Sequence, residues 1–121
     1  MPPKIMLVDD DRTLANLIKT LLELDGFAPI VILNGNQVIP AISENQPDAV
    51  VMDVHLHDRY GLDVLRDIRG TYGMENLPVI MASGMDLEDQ CMAAGASGFI
   101  LKPFPPDQLI EIINANLPKS A

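Results

Sequence analysis

Cysteine is nearly missing from this chain: Cys91 is its only one, so no disulfide can form within it, and the usage fits a reducing compartment. Basic residues are scarce as well. Eight Lys and Arg face 17 Asp and Glu, a formal net charge of −9, which repels phosphate backbones and leaves no basic stripe for direct contact with nucleic acid. No apolar run approaches the roughly 18 residues of a membrane-spanning helix, and the opening Met1-Pro2-Pro3-Lys4 turns acidic by Asp9 without the apolar stretch of a signal peptide. The expected compartment is the cytoplasm, with no membrane insertion. No linker, repeat or low-complexity segment interrupts the sequence. What is present is 121 residues, 48% hydrophobic and 21% charged, enough for a core without disulfide staples and best read as one domain, residues 1–121. The tail from Pro118 to Ala121 reads equally as a true end or as the start of a linker.

Short apolar runs alternate with amphipathic stretches. Ile5 to Val8, Ala28 to Leu33, Ala49 to Met52, Leu77 to Met81 and Phe99 to Leu101 are strand candidates, and their continuous apolarity suits strands buried on both faces. The first helix is expected over Arg12 to Leu24, burying Leu14, Leu17, Ile18, Leu21 and Leu22, with Asp11 as its N-cap and Gly26 as its stop. A second covers roughly Asn36 to Glu44 with Pro40 in its first turns or at a kink. A third opens after Gly61 and a fourth spans about Leu87 to Ala94. The fifth begins at Pro105-Pro106 and buries Leu109, Ile112 and Ile113. Strand then helix, repeated with short connections, implies right-handed crossovers and a five-stranded, doubly wound parallel sheet.

In such sheets ligands bind at the carboxyl ends of the strands. The first strand ends in Asp9, Asp10 and Asp11, the third in Asp53, the fourth in Ser83 and the fifth in Lys102. Each alone has a bland explanation as a cap or loop residue. Together they are costly, because carboxylates ~5 Å apart at an effective dielectric of ~20 repel by roughly 3 kcal/mol per pair. Lys102 offsets one charge, and the remainder favours a hard divalent cation that keeps several waters, the habit of Mg²⁺. His55 and His57 add imidazoles beside Asp53, a donor set that brings in Mn²⁺ or Zn²⁺ as alternatives, although ordinary surface turn residues are the better explanation of the pair.

The chain resembles the receiver domain of two-component response regulators over nearly its whole length. The matching motifs are Val8-Asp9-Asp10-Asp11, Val51-Met52-Asp53 with Gly61 beyond it, Pro78-Val79-Ile80-Met81-Ala82-Ser83, Ala94-Gly95-Ala96-Ser97-Gly98-Phe99 and Lys102-Pro103-Phe104. The resemblance implies a flavodoxin-like α/β fold with strand order 2-1-3-4-5 and about five helices. It implies that Asp53 accepts a phosphoryl group from a phosphohistidine on a sensor histidine kinase or histidine phosphotransfer protein. Asp10 and Asp53 would bind Mg²⁺ directly, with the His55 backbone carbonyl as a third ligand and Asp9 acting through water. Lys102 and Ser83 would hold the phosphoryl group, and Ser83 and Phe99 would form the switch that remodels the fourth helix, fifth strand and fifth helix. The Lys102-Pro103 bond would be cis, aiming the ammonium at the site. Such a protein is a switch rather than an enzyme, though it catalyses its own phosphoryl transfer and dephosphorylation. Its downstream effector is not named by the sequence.

Four departures stand out. His57 replaces the usual Pro four residues after the phosphoacceptor, and Tyr60 stands where Asp is common before Gly61. About three residues are missing between Ser83 and Gly95-Ala96, either from the loop or from the fourth helix. The last helix lacks the basic residues through which receivers of winged-helix transcription factors pair, so a homodimer, if formed, is not expected to be of that kind. His55 and Met85 stand where the family tunes phosphoryl lifetime. The first two departures and the shortened fourth element favour the alternative of a pseudo-receiver, an interaction module that signals without phosphorylation. A flavodoxin-like cofactor binder or a small aspartate-nucleophile phosphatase is disfavoured, since no Gly-rich or Ser/Thr-rich phosphate loop follows the first strand and no D-x-D follows the strand that ends in Asp53. From the repulsion among carboxylates, Asp10→Asn should leave the metal-free protein at least as stable while abolishing stabilisation by Mg²⁺. Thermal melts with and without Mg²⁺ check this, and a full Mg²⁺-induced rise in the variant would remove Asp10 from the ligands.

Overall fold

The computed structural model describes residues 2–118. Met1 and most of the C-terminal tail, residues 119–121, lie outside them. Five parallel strands, β1 (Lys4–Val8), β2 (Ala28–Ile32), β3 (Ala49–Asp53), β4 (Val79–Ser83) and β5 (Gly98–Leu101), form one sheet in the order β2-β1-β3-β4-β5. The helices between them are α1 (Arg12–Leu24), α2 (Val38–Asn45), α3 (Gly61–Arg69), α4 (Glu88–Ala93) and α5 (Pro106–Asn116). This is the expected flavodoxin-like α/β fold. None of the described helices is long and apolar enough to cross a membrane.

Alternation along each strand explains the continuous apolar runs. Met6, Val8, Val50, Met52, Val79 and Met81 face one way, against α2, α3 and α4. Ile5, Leu7, Val51, Ile80, Ala82 and Ile100 face the other way, against α1 and α5. Both faces are thus apolar because both are roofed by helices. At the edge the rule weakens: every residue of β2 is only half-buried, since that strand has a neighbour on one side.

Several boundaries differ from those expected. β4 starts at Val79 rather than Leu77, because Pro78 has no N–H and joins the ladder only by accepting from Val50 at 2.9 Å. β3 runs on to Asp53, which pairs with Ala82. The second helical element opens as a 3-10 turn over Gly35–Gln37 before α2, whose Pro40 lies in the first turn where its missing N–H costs no helix bond. In α1 the buried stripe is Ala15, Ile18 and Leu22, so Leu17, expected inside, is 57% exposed. In α5, Leu109 and Ile113 are buried but Ile112 only half so, because it packs at the sheet's outer edge against Gly98. α4 has six residues, less than two turns.

Arg69 ties α3 to the far side of α4. Its half-buried guanidinium donates to the carbonyls of Gly95 at 2.8 Å and Met74 at 3.2 Å and to Ser97 Oγ at 3.4 Å. Gly95, at φ +105°, leaves room that a Cβ would take 3.0 Å from Arg69 Cγ. Arg69→Ala should therefore cost about 1–3 kcal/mol in urea unfolding, the loss falling on carbonyls left without donors. Arg69→Lys should recover less than half of it, lacking the fork. A change within about 0.5 kcal/mol for Arg69→Ala would mean that these contacts hold nothing.

Candidate functional site

Parallel strands deliver their carboxyl ends to one rim. Asp9 follows β1, Asp53 ends β3, Ser83 ends β4 and Lys102 follows β5. Lys102 Nζ donates to Asp53 Oδ2 at 2.8 Å and to Asp9 Oδ2 at 3.3 Å. Burial by itself would lower the pKa of this ammonium. The hydrogen bond and charge of Asp53, followed by those of Asp9, outweigh it and leave the pKa raised. Asp9 is buried, and burial drives its carboxyl pKa up against the Asp11 N–H and Lys102, with the Asp53 charge adding to the rise.

The three consecutive acids go to three different partners. Asp9 Oδ1 accepts from the Asp11 N–H at 2.9 Å while its Oδ2 meets Lys102. Asp10 Oδ2 accepts from the His57 N–H at 2.7 Å and lies 3.1 Å from His57 Nδ1. A proline at position 57 would have no such N–H. Asp11 leaves the cluster and caps α1, accepting from the Leu14 N–H at 3.1 Å.

The turn after β3 is built around the same carboxylates. His55 N–H donates to Asp53 Oδ1 at 3.1 Å. The His55 ring turns to Tyr60, 5.9 Å between centroids, across an antiparallel bridge. The two imidazoles therefore separate, and of the two rings it is that of His57 that lies beside a site carboxylate. Gly61 closes the turn by donating to the Val54 carbonyl at 2.6 Å. A Cβ there would stand 2.8 Å from Val54 Cα and closer still to the Asp53 carbonyl, so α3 can start flush against the acid-bearing strand only from glycine.

Ser83 is fully buried, its Oγ accepting from the Met85 N–H at 3.0 Å and its carbonyl from the Lys102 N–H at 2.8 Å. Phe99 pairs with Met81 across β4 and β5 and lies half-buried against the cluster that contains Cys91. The Lys102-Pro103 peptide is cis. Asp58 was not foreseen from the sequence: its carboxylate accepts from the Gly35 N–H at 2.8 Å and the Asn36 N–H at 2.9 Å, clamping the loop after β2 to the loop after β3. Those amides, Gly35 foremost, hold its pKa below the usual range. An Asp in a polar loop carries no local sign of a partner 23 residues away.

A family model described as the response regulator receiver domain matches residues 5–114. The chain belongs to that family. This receiver domain is similar in structure to the receiver domain of Francisella response regulator 1452, at 30% identity and TM-score 0.87 over 93% of this chain and 94% of that one. The BeF₃-activated N-terminal receiver domain of Klebsiella pneumoniae RstA is 28% identical, with TM-score 0.87 over 96% and 99%. The chemotaxis response regulator CheY4 of Vibrio cholerae, at 20% identity, shares the fold, with TM-score 0.90 over 97% and 100%.

Receiver domains generally bind Mg²⁺, and the donor set of this one fits. Asp9, Asp10 and Asp53 offer hard oxygens whose charge of −3 meets only the +1 of Lys102, a remainder of −2. Among the described residues no three His, Cys, Asp or Glu side chains close on a metal ion by themselves.

The raised pKa of Asp9 has a consequence for stability. Its unfolded value is about 3.9, so between that pH and the folded pKa the folded chain binds more protons, and stability falls as pH rises through this window. The ionised carboxyl costs stability at neutral pH and nothing below the unfolded pKa. Asp9→Asn should raise the melting temperature of metal-free protein at about pH 7 and lose that advantage below about pH 4. A lower melting temperature at neutral pH would show that the Lys102 contact outweighs burial.

Proposed function

We propose that this chain acts as one phosphorylatable receiver domain, in which Asp53 accepts a phosphoryl group from the phosphohistidine of a sensor histidine kinase or histidine phosphotransfer protein. The observation that carries this reading is the Lys102 ammonium, held at once by Asp53 and Asp9 at the end of the sheet. A carboxylate oxygen of Asp53 forms the new O–P bond as the donor's N–P bond breaks. The electron pair stays on the imidazole nitrogen, which takes up a proton, and nothing is oxidised or reduced. Lys102 neutralises charge on the incoming group from a position fixed by two carboxylates, so catalysis is positioning plus electrostatics. Asp10 and Asp53, with the His55 backbone carbonyl and with Asp9 through water, would hold Mg²⁺ or Mn²⁺, which stabilises negative charge on the phosphoryl oxygens when bound.

Ser83 then exchanges the Met85 N–H for a phosphoryl oxygen. Phe99 moves into the space released, carrying the change to α4, β5 and α5. The domain is a switch that turns over its own acyl phosphate, with His55 and Met85, both exposed at this end, affecting the lifetime. A downstream effector reads the altered surface.

His57 favours a second reading. Its N–H and imidazole both lie on Asp10 Oδ2, which supports a pseudo-receiver that signals without phosphorylation. Intact-mass spectrometry after incubation with a small-molecule phosphodonor separates the two. Wild type should gain one phosphoryl group only with Mg²⁺, and Asp53→Asn should gain none. No gain in wild type, together with no Mg²⁺-dependent binding of beryllofluoride, would establish the pseudo-receiver.

A further inference from the structure

The chain holds two histidines, His55 and His57, both in the turn after β3. The turn gives their rings different neighbours. His55 packs against Tyr60, with which it forms a bridge. His57 Nδ1 lies 3.1 Å from Asp10 Oδ2, the oxygen that accepts from the His57 N–H at 2.7 Å. The next residue, Asp58, is fixed on the amides of Gly35 and Asn36, so the backbone of the turn is held on both sides of the ring. Packing does not press the imidazole onto Asp10, since the His57 side chain is 94% exposed. The ring is there through its polar contact with the carboxylate alone.

The spacing of the two atoms is that of neighbouring ligands on one ion. Donors each ~2.1 Å from an octahedral cation stand ~3.0 Å apart when they are adjacent, against the 3.1 Å between Nδ1 and Oδ2. A carboxylate oxygen has two lone pairs, and the His57 N–H occupies one, which leaves the other for a cation. Resting on the function proposed above, which gives Asp10 to the cation, we propose that the His57 ring is a further ligand of that cation and makes the site take Mn²⁺ in preference to Mg²⁺. Mg²⁺ is satisfied by oxygen and its own waters and gains little from an imidazole. Mn²⁺ accepts the same carboxylates and waters and binds a ring nitrogen as well. The proline usual at this position has neither the N–H nor the ring nitrogen, so the ligand arises from this chain's departure from the pattern. In this role the His57 contact is an arm that holds the ion on Asp10 rather than a lock that keeps it away.

The test is electron spin echo envelope modulation on untagged whole chain loaded with Mn²⁺, which detects the nitrogen of a directly bound imidazole. Wild type should show that nitrogen, His55→Ala should keep it, and His57→Ala should lose it while Mn²⁺ stays bound. By calorimetric titration, His57→Ala should weaken Mn²⁺ by roughly tenfold and change Mg²⁺ by less than about twofold, because the alanine N–H still reaches Asp10. Asp10→Asn should weaken both ions, which places them on one carboxylate. No nitrogen signal in wild type, its loss in His55→Ala instead of His57→Ala, equal weakening of the two ions by His57→Ala, or Mn²⁺ binding that survives Asp10→Asn would overturn the proposal. Mass spectrometry with the phosphodonor keeps this failure apart from that of the proposed function. Phosphoryl gain with Mg²⁺ and no nitrogen signal refutes the His57 ligand alone. A His57 nitrogen on Mn²⁺ in a chain that gains no phosphoryl group with either ion refutes the phosphoacceptor alone.

Discussion

The ammonium of Lys102 lies between carboxylates that reach it from β1 and β3, and the chemistry of the rim depends on that placement. Asp9 is 93 residues away in sequence and is brought within 3.3 Å only because parallel strands end together. Without the ammonium, Asp9 and Asp53 would face each other partly buried and unopposed, an arrangement a fold tolerates poorly. With it, the cluster still carries more negative charge than positive. The same contact offsets part of the repulsion between the two acids and leaves a negative remainder, which under the proposed function a divalent cation and the incoming phosphoryl group would share.

Three acids in a row create a problem of distribution, which the loop after β1 solves by sending each in a different direction. Asp11 gives its carboxylate to the first turn of α1, where the helix dipole welcomes it. Asp9 faces inward to Lys102, and Asp10 faces the turn after β3. At that turn His57 donates its backbone N–H to Asp10 and places its ring Nδ1 3.1 Å from the same carboxylate oxygen. The departure from the family pattern therefore touches a carboxylate to which the proposed function gives the cation, rather than a remote loop.

The sheet and most of its helices were legible because burial on both faces writes itself into sequence as unbroken apolar runs, and because strand ends announce where polar residues converge. Asp9, Asp53, Ser83 and Lys102 could be found that way. Finer features escaped where a local pattern lacked its three-dimensional context: Pro78 delays β4, the edge position of β2 leaves an apolar strand half-covered, and α1 carries more leucine than its buried stripe needs. Asp58 and Arg69 escaped for a different reason. Each joins loops 23 or more residues apart through backbone amides or carbonyls, which have no identity in the sequence for a motif to match.

α4 is held unequally at its two ends. Beyond its C-terminus, Gly95 and Ser97 are pinned by the Arg69 guanidinium, and Ser97 Oγ also accepts from the Val79 N–H at 3.0 Å, fixing that turn to the start of β4. Before its N-terminus, residues 84–86 are exposed, and the hydrogen bond from Met85 to Ser83 is the tie that links them to the rim. A helix of six residues has little internal cooperativity with which to resist a pull at one end. Under the proposed function, Ser83 gives up that tie when it turns to a phosphoryl oxygen. The change then enters α4 at its loose end, beside Met85 and Leu101, while the clamped end serves as the fixed point about which the surface is altered.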